Sequence, residues 1–272
     1  VHRSKKLRLS FNDFFEECSI GPLNIRRSGW PIVRRDGKRT SGLSDVGWLN
    51  ESFSLKLREG VVGEESLWVG PETEFYVPIA ELPIYVGAAA FLSEEINFNL
   101  NRPLDPGLVL RALKLNLDRG RFVYGGSTVT QQLVKNLFLT RDKSLARKIR
   151  EVLIAARITQ EVSRERVLEL YLNCIEFGPD IYGIGAAAQY YFQKDARKLT
   201  PREAVFLAML KPAPYRGADM KRRGRTPVAT YWVDRATEIF DRLVRKGYLN
   251  QTDADAERPY GIQWEDGTYR SR

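Results

Sequence analysis

The twelve residues from Gly125 to Asn136, GGSTVTQQLVKN, constrain this chain more than any other stretch. Two adjacent glycines reach backbone conformations closed to other residues and let a ligand come close to the main chain. Ser127 or Thr128 then suits an N-cap, which predicts a helix start with N–H groups facing outward as a seat for an anion. One face of that helix carries Thr128, Gln131 or Gln132, and Lys135, while Val129, Leu133 and Leu137 point to a core. A bare glycine turn before an ordinary capped helix explains the first four letters equally well. The paired glutamines and the Lys135–Asn136 step one turn on instead favour an anionic ligand rich in hydroxyls.

At 272 residues the chain can bury a full core. Its 43 Lys and Arg exceed its 34 Asp and Glu, so the surface is basic and suits nucleic acid, anionic lipid or a pyrophosphate. No nucleic-acid recognition module accompanies that charge, and no nucleic acid is expected as a partner. His2, the sole histidine, lies at the terminus and excludes a histidine-dependent triad. Cys18 and Cys174 fit no metal-ligand spacing and are expected to be two independent thiols. No apolar run approaches the roughly 18 residues of a membrane span, and VHRSKKLRLSFNDFF lacks the apolar part of a signal peptide. As given, the chain is expected neither to span a membrane nor to export itself.

The expected class is mainly α with a small N-terminal β or irregular extension. Residues 1–75 form that extension, 76–260 the main domain and 261–272 a tail. In the extension, Leu23 to Ile25, Trp30 to Val33, Phe53 to Leu57 and Ser66 to Val69 read as short strands or irregular structure between Gly, Pro and charged turns. Arg26, Arg27, Arg34, Arg35 and Lys38 read as a solvated basic surface. From about Val77 the apolar spacing is helical. Leu82 to Leu92 predicts a buried helix running into Ser93, Glu94 and Glu95, although helix C-termini disfavour negative charge. Arg147 and Glu151 share a helical face, which by itself is an i,i+4 ion pair contributing a few tenths of a kcal/mol. Glu169 and Asn173, set among leucines, read as residues that hold helices together. Pro212 and Pro214 should end the helix before them, and a last helix from Tyr231 to Lys246 should stop at Gly247.

GGSTVTQQLVKN resembles the second signature of the peptidoglycan glycosyltransferases (glycosyltransferase family 51), found in bifunctional penicillin-binding proteins and monofunctional transglycosylases. FLSEEINF resembles the first signature, with Glu94 at the catalytic Glu and Phe98 at the Phe; Glu95 replaces an Asp, Asn101 a His and Pro103 a Gly. Arg147, Lys148, Glu151 and Ala155 match the third, where Thr159 stands in place of a further acid. Glu169, Tyr171, Asn173 and Gly178 match the fourth, and Leu199, Glu203, Ala204, Leu207 and Ala208 the fifth. The resemblance covers roughly residues 77 to 258 with the signatures in order.

It implies a lysozyme-like helical domain whose cleft separates a head from a membrane-facing jaw, the latter including the apolar and basic run Leu137 to Arg147. It implies polymerisation of lipid II into β-1,4-linked glycan with release of undecaprenyl diphosphate. By resemblance Glu94 is the base, expected in apolar surroundings, and Glu151 assists at the leaving group. Lys135, Arg147, Lys148 and the amides near Ser127 hold the pyrophosphate. Glu95, Phe98, Asn101, Thr128, Gln131, Gln132 and Asn136 help to bind substrate, and Glu169, Asn173 and Tyr182 support the cleft. No cofactor is required and no residue cluster calls for a metal, although the family admits Mg2+ or Mn2+. The implied partners are lipid II, the growing glycan strand, the membrane surface and cell-wall synthesis proteins. The implied place is the outer face of the bacterial cytoplasmic membrane, held peripherally or by a segment not present in this chain. The alternative is a non-catalytic member that binds lipid-linked precursor or glycan as a scaffold.

Overall fold

The computed structural model describes residues 46–56, 66–94, 103–118, 120, 126–139, 145–211, 213–224 and 230–257, together with four short strands before residue 40. These residues are mainly helical. Strands β1 (Ser19–Ile20) and β2 (Leu23–Asn24) pair as a hairpin. An antiparallel sheet runs in the order β4 (Lys38–Arg39), β3 (Val33–Arg35), β5 (Phe53–Lys56), β6 (Ser66–Val69). Of the expected Trp30 to Val33 strand, only Val33 lies within the described residues, where it opens β3.

Strand β5 alternates as a half-buried strand must: Phe53 and Leu55 are buried and Ser54 between them is not. Phe53 meets Trp48 edge-on at 5.1 Å, and Trp48 meets Phe138 at 5.8 Å. Phe138 belongs to a helix of the main domain, so residues 46–56 and 66–69 contribute to one core with the helices.

The helices are α1 (Ile84–Leu92), α2 (Pro106–Asp118), α3 (Val129–Phe138), α4 (Leu145–Glu161), α5 (Arg164–Cys174), α6 (Ile184–Phe192), α7 (Pro201–Leu210), α8 (Pro214–Arg222), α9 (Thr230–Arg245) and α10 (Gln251–Ala256). Between α5 and α6 lies the hairpin β7 (Glu176–Gly178) and β8 (Ile181–Tyr182). Helix α1 is buried from Val86 to Leu92 and packs against α5, α7 and α9. Its Gly87 and Ala88 to Ala90 carry almost no side chain, which lets three neighbours approach one short rod. Helix α3 packs on α4 and α5 through Leu133, Val134 and Leu137, all fully buried.

Helix α7 ends at Leu210, before the two prolines, as expected; Pro214 is in addition the first residue of α8, a helix the periodicity did not indicate. A proline at that position loses nothing, because the first N–H groups of a helix have no internal partner. Gly247, at φ +74°, closes α9 in the left-handed conformation that glycine adopts without strain. Helix α10 follows, capped by the Asn250 side chain on Asp253 N.

The chain entering α1 is pinned to α5 and α6. Asn173 accepts from Val77 N at 3.0 Å and donates to Val77 O and Glu169 O, each at 2.9 Å. Glu169 accepts from Ile79 N at 2.7 Å and from the Tyr76 hydroxyl and Arg166. A Cβ on Gly185 would sit 2.1 Å from Phe75 O, so only glycine permits this approach. Asn173→Ala strands both buried polar groups of Val77, and we expect a loss of about 2–3 kcal/mol. Thermal melting should then fall by about 5–10 °C; an unchanged melting temperature would contradict the role of this clamp.

Candidate functional site

Glu94 lies just beyond α1, where the buried helix meets the surface. Its side chain is 24 % exposed. Gln132, at the end of the first turn of α3, donates from Nε2 to Glu94 Oε2 at 2.9 Å. The Tyr171 hydroxyl of α5 donates to Gln132 Oε1, also at 2.9 Å. Burial and then the charge of Glu94 hold the Tyr171 hydroxyl far above the ordinary tyrosine range, so it stays a donor. An amide that accepts at its oxygen must turn its NH2 the other way, and Tyr171 thereby aims Gln132 at the carboxylate. On the other side, Lys211 Nζ stands 3.6 Å from Glu94 Oε1 and 5.4 Å from the centre of the Tyr171 ring. The expected apolar surroundings of Glu94 are therefore corrected: an amide and an ammonium flank it.

A second cluster forms at the start of α4. Glu151, with a side chain only 3 % exposed, accepts from Arg147 Nη1 at 2.7 Å and from Lys148. Lys148 also donates to Ser127 Oγ at 2.8 Å, which ties the cluster to the residue just before the cap of α3. Helical spacing puts all three charged groups on one face, and the buried carboxylate collects both cations. The sum is two positive charges and one negative, a net excess of one cation.

Helix α3 joins the two clusters, with Ser127 before its cap and Gln132 a turn inside. Their backbones are on the order of 10 Å apart along the chain. Thr128 caps α3 as expected, and Gln131 completes a capping box by accepting from Thr128 N at 2.9 Å. This corrects two expectations. Thr128 and Gln131 are fully buried and do not face a ligand, and the amides of Thr128 and Gln131 are taken by the box. The box satisfies these amides intramolecularly, which removes them from the anion seat. Lys135 is exposed and Asn136 half-buried farther along α3, outside both clusters.

Tyr182 is half-buried in β8, opposite Glu176. Thr159 donates its hydroxyl to Ala156 O at 2.8 Å, so an uncharged, locally bonded group stands at the position of the signature's further acid. Glu95, Phe98, Asn101 and Gly125 lie outside the described residues, as does Cys18. Cys174 is buried, and burial pushes its thiol up to about 12, which leaves it unreactive. Leu137 to Leu139 are buried, so the first part of the supposed jaw run faces the core; residues 140–144 lie outside the described residues. Among the described residues no group of three His, Cys, Asp or Glu could hold a metal ion. Glu94 opposite an ammonium is also a poor donor set for a divalent cation.

Sequence reading missed Lys211. Its one signal is a lone cation closing the apolar run AVFLAML before a proline.

The transglycosylase family model matches residues 62–243. The chain is 37 % identical over 199 residues to penicillin-binding protein 1A of Aquifex aeolicus, covering 72 % of this chain and 27 % of that protein. It is 35 % identical over 204 residues to penicillin-binding protein 1A of Escherichia coli, covering 74 % and 23 %. It is 40 % identical over 139 residues to the biosynthetic peptidoglycan transglycosylase of Paraburkholderia xenovorans, covering 51 % and 58 %. The chain thus spans about a quarter of the length of the first two relatives and somewhat over half of the third. The matched span holds α1 to α8 and both clusters, and by that match the chain belongs to the transglycosylase family.

Proposed function

We propose that this chain is an inverting peptidoglycan glycosyltransferase that polymerises lipid II at the outer face of the cytoplasmic membrane. The observation that carries the reading is the pairing, across α3, of one accessible carboxylate with a cation cluster of net positive charge. Joining a sugar hydroxyl to an anomeric carbon needs a base for the hydroxyl proton and a positive field for the departing diphosphate. Glu94 takes the proton as the new C–O bond forms. The bond to the diphosphate breaks with its electron pair, and Arg147 and Lys148 receive that charge while Glu151 orders them. Gln132, its amide fixed by Tyr171, keeps Glu94 in one rotamer. Attack opposite the leaving group turns an α-linked diphosphate into a β-linkage. The test is polymerisation of labelled lipid II in detergent micelles by the native chain; glycan product supports the reading, and its absence with a folded protein overturns it.

Helix α2 supports the membrane part of the proposal. Leu110, Leu113 and Leu117 recur on one helical face and are 66 %, 55 % and 71 % exposed. Val109 and Leu104 add to the stripe. Apolar side chains in this arrangement suit the acyl boundary of a bilayer, where a lipid-linked substrate resides. Among the described residues no helix is long and apolar enough to cross a membrane, so this contact lies along the surface. Replacing Leu110 and Leu117 by Asp removes two inserted side chains. Binding to anionic vesicles, measured by sedimentation, should weaken by about 100-fold. Equal binding by the double variant would show that the contact is made elsewhere.

A further inference from the structure

We infer that Lys211 is a positioning residue for Glu94 and that, with Arg235 and Arg242, it locks the end of α1 that presents this carboxylate. The inference rests on the polymerase reading and names what holds its base in place.

The last carbonyls of a helix have no internal partners, and their partial negative charge repels a carboxylate placed beyond them. Glu94 stands in that unfavourable position. Here three cations from other parts of the fold each meet one carbonyl at this end. Lys211, directly after α7, donates to Ala90 O. Arg242 of α9 donates to Leu92 O at 2.6 Å, and Arg235, two turns earlier on α9, donates to Ser93 O. Glu238 lies between the two arginines and binds both. The three cations remove the electrostatic objection to Glu94 and fix the backbone from which it projects.

Lys211 does more than cap. Its side chain is 4 % exposed, and Glu94 is its acidic neighbour at 3.6 Å. Burying an ammonium is costly, and a methionine of similar length would fill the space without that cost. Filling space therefore does not account for a lysine here. The charge fixes the orientation of Glu94 Oε1 as Gln132 fixes Oε2. Each carboxylate oxygen keeps a second lone pair, so Glu94 is held without being consumed.

The groups facing Lys211 are Glu94 from the end of α1, the Tyr171 ring from α5 and Arg235 from α9. Burial pushes the Lys211 ammonium down, Glu94 pulls it part of the way back and Arg235 adds a smaller downward push, which leaves it at about 8. The ammonium is present below about pH 8 and is lost as pH rises through that value, so its help to Glu94 disappears on the alkaline side.

The test is the pH dependence of kcat and KM for lipid II polymerisation by the native chain, Lys211→Met and Lys211→Arg, each checked by thermal melting. We expect Lys211→Met to lower kcat by about 100-fold with KM nearly unchanged, as for a misplaced reacting group. Lys211→Arg, whose guanidinium stays charged, should recover most of the rate and move the alkaline limb to higher pH. A Lys211→Met enzyme with native kcat and native pH profile overturns the inference, as does a defect confined to KM. If Lys211→Met does not fold, an alkaline limb in Lys211→Arg identical to that of the native chain overturns it. A folded native chain that makes no polymer overturns the polymerase reading itself, and this inference with it.

Discussion

Glu94→Gln is expected to lower glycan polymerisation by about a thousandfold while leaving lipid II binding and the fold intact. Glutamine has the same shape and still accepts from Gln132, so the cleft wall is preserved. What it lacks is the capacity to take a proton from the acceptor hydroxyl. Because Glu94 is accessible and not a core residue, its replacement leaves no cavity; the one unbalanced group is Lys211. Polymer yield from labelled lipid II, read beside a binding isotherm for the same substrate, separates the two effects. Native turnover by the variant would place the base elsewhere and remove the assignment of Glu94.

Glu151→Gln should be the next most damaging change, and it should act on both rate and stability. Glu151 is the buried point at which Arg147 and Lys148 converge, and Lys148 in turn holds Ser127. A neutral amide raises the net charge of the cluster by one, which alone would favour an anionic substrate. The geometric loss outweighs this gain. The cations are 19 % and 37 % exposed and, without the carboxylate, turn to solvent and away from the diphosphate. Removing one partner of a fully buried pair costs about 3–5 kcal/mol; with both cations able to reach water, about 2 kcal/mol is the expectation. We expect kcat to fall by about 100-fold, as for lost electrostatic positioning at a leaving group. Denaturant unfolding and single-turnover kinetics on one preparation check both parts. A variant as stable and as fast as the native chain would reduce Glu151 to a bystander.

Several elements of this structure are legible in the letters alone. The Thr128 cap and Gln131 sit three residues apart, as do Thr200 and Glu203, and both pairs close as capping boxes. Arg147 and Glu151 meet because four residues make one helical turn. The apolar run ending at Leu92 becomes a buried helix because its small and aliphatic residues leave it no polar face. The same local logic misled at one place. The periodicity puts Gln131 or Gln132 on a ligand face, and the capping box turns Gln131 inward. The prolines do follow the end of α7, and Pro214 also opens α8, since a proline is at home as the first residue of a helix.

The sequence by itself determined the helices that carry the family signatures and the cap that opens α3, because helix periodicity and capping act between residues no more than one turn apart. Only the tertiary structure decided what surrounds Glu94. Gln132 lies 38 residues from it, and Arg235 reaches Ser93 across 142 residues. Tyr171 is 39 residues from the glutamine it orients. Such contacts depend on which buried faces pack together and at what angle, since apolar stripes attract one another without specifying a partner. The packing of α5, α7 and α9 around α1, and of α3 on α5, places one carboxylate between an ammonium and an amide that a phenol orients.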